Sequence, residues 1–169
     1  MELCGGKRER FFSAIGQDSH RFEHEPSSKP LVLGGVVIPD VPGLSGNSDA
    51  DVILHALCNA ISGLSTKNIL GAVTDRLCNE QGIVDSRVYV EKALETLGTI
   101  RLLHVSITVE AQRPRLSPYI EAIRRSVAEI LSLPLESTGL TATSGEGLTS
   151  FGKGEGIQVF IIASASQAV

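Results

Sequence analysis

The segment GNSDADVILHALCNAISGL (residues 46–64) predicts the helix around which the fold is organised. Its apolar residues recur at helical spacing and form one stripe, which contains Ile53, Leu57, Ala60, Ile61 and Leu64. Its polar residues form a second stripe, which contains Ser48, Asp51, His55, Asn59 and Ser62. Ser48 is the predicted N-cap, with Asp49 and Asp51 in the first turn, where the helix dipole favours anions. The pattern therefore places His55 on the polar side, one turn after Asp51.

Stretches with the character of strands lie on both sides of this helix. They cover residues 11–16, 30–40 (a strand or a hairpin around a Gly-Gly pair), 101–111, 138–143 and 156–163. The stretch 101–111 alternates regularly and predicts one buried face, which contains Leu103, Val105, Ile107 and Val109. A sheet with one buried face needs other elements packed against that face, and the predicted helices are the candidates.

Two further helices are predicted after the first. One covers residues 85–98 and begins with an aspartate cap, and the other covers residues 117–133 and begins with a Ser-Pro pair. Residues 65–84 are ambiguous. Because strands and helices alternate, the predicted class is α+β, or an α/β two-layer arrangement with the helices on one sheet.

Composition indicates one ordinary globular domain. The chain has 169 residues, of which 42% are hydrophobic and 20% charged. We expect a single domain over residues 11–165, preceded by a mobile N-terminal extension over residues 1–10. The net charge of −4 and the absence of Trp argue against nucleic-acid binding, which relies on basic surfaces and aromatic stacking.

The cysteines and the lengths of the apolar segments indicate in which cellular compartment the protein is expected. The three cysteines, Cys4, Cys58 and Cys78, match no zinc-knuckle spacing and are expected to be reduced thiols. No segment approaches 18 consecutive apolar residues, and the N-terminus has no signal-peptide pattern. We therefore expect a cytoplasmic protein that does not bind a membrane.

Three polar side chains form a candidate metal site. On an extended segment Asp18 and His20 point to the same side, because side chains alternate between faces with period two. His55 on the polar helical stripe adds a third ligand, and a set of two imidazoles and one carboxylate suits catalytic Zn²⁺. A short D-x-H motif is more often part of an ordinary polar loop, and His24 is a competing ligand.

A second candidate site lies in TATSGEGLTSFGKGEGI (residues 141–157). Its hydroxyl groups and glycine N–H groups suit an anion, Glu146 offers an oxygen ligand for Mg²⁺, and Lys153 supplies positive charge. A flexible loop between two strands explains the composition equally well. The segment EAQRPRLSP (residues 110–118) could place two arginines at the rim of a pocket, and alone it is a weak signal.

Taken together and in this order, these segments resemble the family of 2-C-methyl-D-erythritol 2,4-cyclodiphosphate synthases, enzymes of the non-mevalonate isoprenoid pathway. The family motif D-V-H corresponds to DSH (18–20), and A-H-S-D-G-D-V-A-L-H-A-L corresponds to GNSDADVILHAL (46–57). Further correspondences are LGGVVIP (33–39), VDSR (84–87), AQRPR (111–115) and ATSGEGLTSFGKGEGI (142–157). The resemblance covers about residues 11–163, nearly the whole chain.

The resemblance implies a fold, an assembly and a set of ligands. Each subunit would contain a mixed four-stranded sheet with helices on one face, and the enzyme would be a homotrimer with active sites between subunits. The ligands of Zn²⁺, or of another divalent transition metal, would be Asp18, His20 and His55. Glu146 would bind Mg²⁺ or Mn²⁺. Lys153 and Glu155 match residues that line the trimer axis in the family.

The resemblance also implies substrate contacts. Ser48 would hold the erythritol phosphate, residues 111–117 would line the cytosine pocket, and Thr143 and Ser144 would contact the phosphates. Ser144 and Asn47 take the positions of two groups that stabilise the transition state. The full predicted substrate-binding set is Ser48, Ala111, Gln112, Arg113, Pro114, Arg115, Leu116, Ser117, Thr143, Ser144, Gly145, Ser150 and Lys153.

The implied reaction is that of a phosphorus–oxygen lyase. It converts 4-diphosphocytidyl-2-C-methyl-D-erythritol 2-phosphate to the 2,4-cyclodiphosphate and releases CMP. Several positions depart from the family pattern: Asn47 replaces a histidine, Ile69 an aspartate and Gly147 a lysine, and residues 72–80 do not match the family loop. Two alternatives therefore stay open, a weakly active trimeric homologue that binds zinc and cytidine nucleotides, and a zinc phosphoesterase that uses water.

Overall fold

A computed structural model describes residues 8–24 and 27–169, so residues 1–7 of the predicted extension lie outside the described part. The strands are β1 (Glu9–Arg21), β2 (Pro30–Leu33), β3 (Val36–Pro42), β4 (Arg101–Glu110), β5 (Thr138–Thr143) and β6 (Gly156–Ala168). The helices are α1 (Val52–Ser65), α2 (Ala72–Gln81), α3 (Ser86–Glu95) and α4 (Ile120–Leu131). Within the described ranges, no helix is long and apolar enough to cross a bilayer.

Four strands form the main sheet in the order β1-β6-β4-β5. β6 pairs antiparallel with both β1 and β4, whereas β5 runs parallel to β4. Such a parallel pair needs a crossover connection, which α4 provides. The predicted mixed four-stranded sheet is therefore confirmed, and β2 and β3 form a separate hairpin.

The two longest strands extend beyond their predicted limits. β1 and β6 pair over 13 residues each, from Glu9 opposite Ala168 to Arg21 opposite Gly156. The predicted strand ended at residue 16, whereas β1 continues through residues 17–21, because β6 supplies a hydrogen-bonding partner along its whole length. Asp18 and His20 therefore lie on a strand.

The buried face of β4 differs from the predicted one at its start. Val105, Ile107 and Val109 are buried as expected. An irregularity in the pairing with β6 falls between Leu102 and His104, so that Leu102 packs against the core and Leu103 does not follow the alternation.

Helix α1 is buried on more sides than its apolar stripe predicted. It packs against β1 and β6 on one side and against α3 on another, so Leu54 and Cys58 are also fully buried. It lies very close to the sheet at Gly16, where an added Cβ would overlap the backbone of Ala56 and Ala60. Glycine at this position therefore sets the distance between helix and strand.

The N-cap of α1 is Asp51, and the prediction of Ser48 was wrong. The Asp51 carboxylate accepts hydrogen bonds from the backbone N–H groups of Ile53 and Leu54 at 3.1 Å each. It also accepts from Gly34 at 2.8 Å and Gly35 at 2.6 Å. These two glycines form the turn of the β2–β3 hairpin and have positive φ, which non-glycine residues rarely adopt.

Burial and hydrogen bonding shift the pKa of the Asp51 carboxyl group in opposite directions. Burial raises the pKa of Asp51 to about 6, although the N–H groups of Gly35, Gly34 and Leu54 favour the charged form. Since the side chain is fully buried, removal of the carboxylate would leave the buried N–H groups of Gly34, Ile53 and Leu54 without this acceptor.

The other helices differ from prediction mainly at their ends. α3 is capped by Asp85 as expected, but it ends at Glu95, three residues before the end of the predicted range. α4 begins and ends inside the predicted range 117–133, and Ser132 in the left-handed conformation closes it. The ambiguous residues 65–84 contain α2.

We expect Asp51→Ala to lower the free energy of unfolding by about 3 kcal/mol, since it removes a helix cap and strands buried N–H groups. Urea denaturation followed by circular dichroism measures this loss. Asp85→Ala is the control, because it removes the cap of α3 at an exposed site and should cost about 1 kcal/mol. Equal losses in the two variants would contradict the special role of Asp51.

Candidate metal centre

Asp18, His20 and His55 converge on one point. Asp18 Oδ2 lies 3.0 Å from His20 Nε2 and 3.2 Å from His55 Nδ1, and the two ring nitrogens are 3.3 Å apart. Among residues 8–24 and 27–169, this is the group of three or more potential ligands whose donor atoms lie close enough to share one ion. The sequence-predicted ligands are therefore brought together by the fold.

Two packed elements produce this convergence. Asp18 and His20 alternate onto the side of β1 that faces α1, as Gly16 does. His55 lies in the first turn of α1, where its N–H group donates to the Asp51 carbonyl. Because α1 and β1 lie close together at Gly16, the His55 ring comes within 3.3 Å of Asp18 and His20.

The electrostatics favour a charged carboxylate in this cluster. Burial alone would raise the pKa of Asp18, but hydrogen bonds and charge interactions with His20 and His55 lower it from 3.8 to about 2. The hydrogen bond with Asp18 raises the pKa of His20 against the effect of burial. Asp18 therefore stays anionic and can serve as a ligand over the whole physiological pH range.

The outer nitrogen of each imidazole has an oxygen partner. His20 Nδ1 lies 2.8 Å from the carbonyl oxygen of Ser45, which can only accept a hydrogen bond. His55 Nε2 lies 2.9 Å from Ser86 Oγ and 3.3 Å from Ser48 Oγ. When the outer nitrogens donate, His20 Nε2 and His55 Nδ1 keep their lone pairs toward the centre. Two imidazole nitrogens and one carboxylate oxygen are a donor set that fits Zn²⁺ with an open position.

A cavity of about 270 Å³ opens beside the three ligands. Its lining residues are His20, Gly46, Asn47, Ser48, His55, Leu70, Thr74, Cys78 and Tyr89. Helix α2 covers one side of it, and its Cys78 Sγ donates to the carbonyl oxygen of Asn47 at 3.2 Å. The predicted substrate residue Ser48 and the predicted catalytic residue Asn47 therefore lie next to the candidate metal ligands.

A separate cavity of about 440 Å³ collects the predicted cytosine and phosphate residues. Its lining residues are Ala111, Gln112, Pro114, Arg115, Leu116, Ser117, Ile120, Ala142, Thr143 and Ser144. Arg113 instead stacks over the ring of Phe22 at 4.7 Å and donates from Nε to the Gly154 carbonyl at 3.4 Å. Six of the seven residues in 111–117 thus line this cavity, and Arg113 lines a different one.

The remaining predicted residues lie on the loop after β5. Glu146 is exposed, and its Oε1 accepts from Ser144 Oγ at 3.2 Å. Gly145 packs so closely against Glu110 that a Cβ there would overlap the carboxylate. Ser150 lines a third cavity that also contains His20, and Lys153 is exposed. Glu146 is not part of the cluster formed by Asp18, His20 and His55.

Comparison with known proteins identifies the family. The YgbB family model matches residues 11–166. The chain belongs to the YgbB family. A 2-C-methyl-D-erythritol 2,4-cyclodiphosphate synthase of Chlamydia caviae is 47% identical over 154 residues, which cover 90% of this chain and 88% of that protein. The corresponding synthase of Chlamydia muridarum is 49% identical over 154 residues, which cover 90% of this chain and 86% of that protein.

Solved structures share the fold. A 2C-methyl-D-erythritol-2,4-cyclodiphosphate synthase with bound CDP matches with a TM-score of 0.79 at 27% identity, over 90% of this chain and 98% of that chain. The bifunctional IspDF from Campylobacter jejuni matches with a TM-score of 0.85 at 27% identity. That match covers 95% of this chain but only 43% of the longer bifunctional protein.

Two departures from the family pattern have structural consequences. Ile69 is buried in the core, so the position of the family's aspartate contributes no polar group to the cavity, and Leu70 lines it instead. The unmatched residues 72–80 form most of α2, which contributes Thr74 and Cys78 to the cavity wall. In this member of the YgbB family, a helix thus covers the cavity beside His20 and His55.

Sequence reasoning missed several groups around the centre. Ser86 was noted only within the motif VDSR, and Asp49 only as an anion in a helical first turn. In the fold the Asp49 carboxylate accepts from both the backbone N–H and the hydroxyl group of Ser86. A serine directly after a helix-capping aspartate was the available signal, but the sequence does not show that His55 lies opposite.

The histidines allow a direct test of the ligand set. We expect His20→Ala to lose bound zinc during dialysis, because one of three ligands is gone, whereas His24→Ala should retain it. His24 is exposed and lines another cavity, with Phe22 and Arg113. Metal analysis by atomic absorption after dialysis measures both variants. Equal retention of zinc in the two would rule out this ligand assignment.

Proposed function

We propose that the chain is a metal-dependent 2-C-methyl-D-erythritol 2,4-cyclodiphosphate synthase. It would convert 4-diphosphocytidyl-2-C-methyl-D-erythritol 2-phosphate to the cyclic 2,4-diphosphate with release of CMP. The observation that carries the proposal is the convergence of Asp18, His20 and His55 beside a cavity, in a chain that is 47% identical to a synthase of that name over 90% of its length. The catalytic domain predicted for residues 11–165 would extend to Glu9 and Ala168, where β1 and β6 still pair, and we place the protein in the cytoplasm.

The metal ligands follow from the donor chemistry. Asp18, His20 and His55 would hold Zn²⁺ or another divalent transition metal, and Glu146, a single hard oxygen ligand, would bind Mg²⁺ or Mn²⁺ together with the diphosphate. Bound metal ions would neutralise phosphate charge and help hold the two phosphates in line. The triad fits this role because its three donor atoms already face one another.

The reaction needs positioning more than proton transfer. An oxygen of the 2-phosphate attacks the β-phosphorus of the cytidine diphosphate arm, the bond from that phosphorus to the α-phosphate oxygen breaks, and CMP leaves with the bond electrons. Because the nucleophile is already an anion, no protein base is required. Binding that holds the two phosphates in line supplies most of the acceleration in such reactions.

Each cavity would hold one end of the substrate. Ser48, beside the metal ligands, would hold the erythritol phosphate end, and the Asn47 amide would donate to charge that develops in the transition state. The cavity lined by residues 111, 112 and 114–117 would take the cytosine ring, and Thr143 and Ser144 at its edge would donate to the diphosphate. Ser144 would thereby stabilise charge that develops on the transferred phosphoryl group.

In a homotrimer with active sites between subunits, the metal-side cavity of one subunit would lie next to the cytosine cavity of its neighbour, so that one substrate could span both. Within one chain the ligands Asp18 and His20 lie on edge strand β1, and the segment 143–144 lies at the end of edge strand β5. These two strands are about 14 Å apart, at three strand spacings. The sheet face away from the helices exposes Phe11, Ile15, Phe160 and Ile162. Apolar side chains on an uncovered sheet face support burial against other copies of the chain.

We expect the zinc-loaded protein to release CMP from the substrate in the presence of Mg²⁺. Phosphorus NMR identifies the second product, and His55→Ala should form none because it lacks a metal ligand. A linear phosphate would point to hydrolysis by water and contradict the proposal. CMP or CDP binding without any turnover would favour the weakly active homologue, which Asn47 and Ile69 make the second candidate.

Mixing two inactive variants tests whether the site lies between subunits. His55→Ala removes the metal half, and Ser117→Trp fills the cytosine cavity from an exposed position. Trimers that contain both variants should regain CMP release, since one interface then combines two intact halves. The double variant on a single chain is the control and should stay inactive. Failure of the mixed trimers to regain activity would contradict a shared site.

A further inference from the structure

Ser86 occupies the side of His55 opposite the metal centre. It is fully buried at the first position of α3, and its Oγ lies 2.9 Å from His55 Nε2. Tyr89, one turn further along α3, places its ring centroid 6.2 Å from that of His55. One face of α3 therefore packs against the imidazole.

The direction of the hydrogen bond is fixed by Asp49. Ser86 donates its hydroxyl hydrogen to Asp49 Oδ1, and its backbone N–H donates to Asp49 Oδ2 at 3.0 Å. The Asp49 backbone N–H donates in turn to the Val84 carbonyl at 2.9 Å. With its only hydrogen committed to a carboxylate, Ser86 Oγ can only accept toward His55.

This order of donors determines the tautomer of His55. If Ser86 Oγ accepts, then His55 Nε2 carries the hydrogen and Nδ1 keeps its lone pair. Nδ1 is the atom that lies 3.2 Å from Asp18 Oδ2 and 3.3 Å from His20 Nε2. The hydrogen bonds that link Asp49, Ser86 and His55 therefore leave Nδ1 of His55 unprotonated on the side of the metal centre. They also restrict rotation of the ring.

We propose that Ser86, held by Asp49, is a positioning residue that fixes the tautomer and orientation of the metal ligand His55. The proposal rests on the metal site described under the proposed function. Carboxylates that orient a metal-bound histidine usually contact it directly, whereas here a buried hydroxyl group stands between the two. Ser48 is a weaker partner of the same nitrogen, at 3.3 Å, and its Oγ also accepts from the Ala50 N–H.

Two variants change this contact in different ways. Ser86→Ala removes the acceptor, so the ring of His55 can rotate and adopt the other tautomer. Asp49→Asn replaces a carboxylate whose oxygens accept from the Ser86 hydroxyl, the Ser86 N–H and the Asp51 N–H. In either orientation the new amide NH2 group faces one of these donors, so the hold on the Ser86 hydroxyl hydrogen weakens. This hydrogen can then turn toward His55 Nε2, which leaves Nδ1 protonated. We expect each to weaken zinc binding about 10- to 100-fold in competition with a chromophoric chelator.

Cobalt spectroscopy gives a readout independent of activity. Co²⁺ bound in the site reports ligand geometry through its visible d–d bands, and Ser86→Ala should shift or weaken them. Asp85→Ala is the matched control, because it removes the cap of the same helix at an exposed position and touches Arg87 rather than His55. It should lower the melting temperature but leave zinc affinity and the cobalt spectrum unchanged.

The possible results separate this proposal from the proposed function. Zinc affinity and cobalt spectra of Ser86→Ala equal to those of the wild type would overturn the positioning role, as would an equal loss of affinity in Asp85→Ala. If Ser86→Ala does not fold, the same comparison with Asp49→Asn decides. Failure of the wild-type protein to bind zinc would instead contradict the metal site itself.

Discussion

The Asp51 carboxylate is the interaction on which the rest of the structure depends. It joins the Gly34-Gly35 turn of the β2–β3 hairpin to the first turn of α1 through four backbone N–H groups. A fully buried anion is tolerated only when its oxygens are satisfied in this way. The carboxylate therefore fixes where α1 begins, and His55 follows one turn later at a set height above β1.

The geometry of the candidate metal centre depends on where Asp51 places the start of α1. The strand supplies Asp18 and His20 with the period of two, and the helix supplies His55 from above through the close contact at Gly16. Asp49 then attaches the start of α3 to the same region, which brings Ser86 to the outer nitrogen of His55. His55 comes from α1, Ser86 from the first position of α3, and Asp49 from the loop before α1. The carboxylates of Asp49 and Asp51, which accept from N–H groups at the starts of α3 and α1, hold them together.

Much of the centre could be predicted from particular residues. The D-S-H spacing and the polar stripe of α1 indicated all three ligands, and the fold brings them together. The buried positions Val105, Ile107 and Val109 followed from alternation, which reflects burial of one sheet face. Alternation failed at Leu103, because an irregularity in strand pairing is decided by the partner strand and leaves no mark on the local pattern. For the same reason, the predicted strands 11–16 and 156–163 ended before β1 and β6 end in the structure.

The sequence alone determined the types of most helices and strands, the two-layer class, the candidate metal ligands and the resemblance to a family, because these depend on local periodicity and on residue identity. Only the tertiary structure decided that Asp51 rather than Ser48 caps α1 and that α2 covers the cavity beside His20 and His55. It also decided that Ser86 and Asp49 support His55. These features join residues far apart in the chain. Spacing along the chain carries no information about such contacts, since they arise from the packing of elements that the chain connects indirectly.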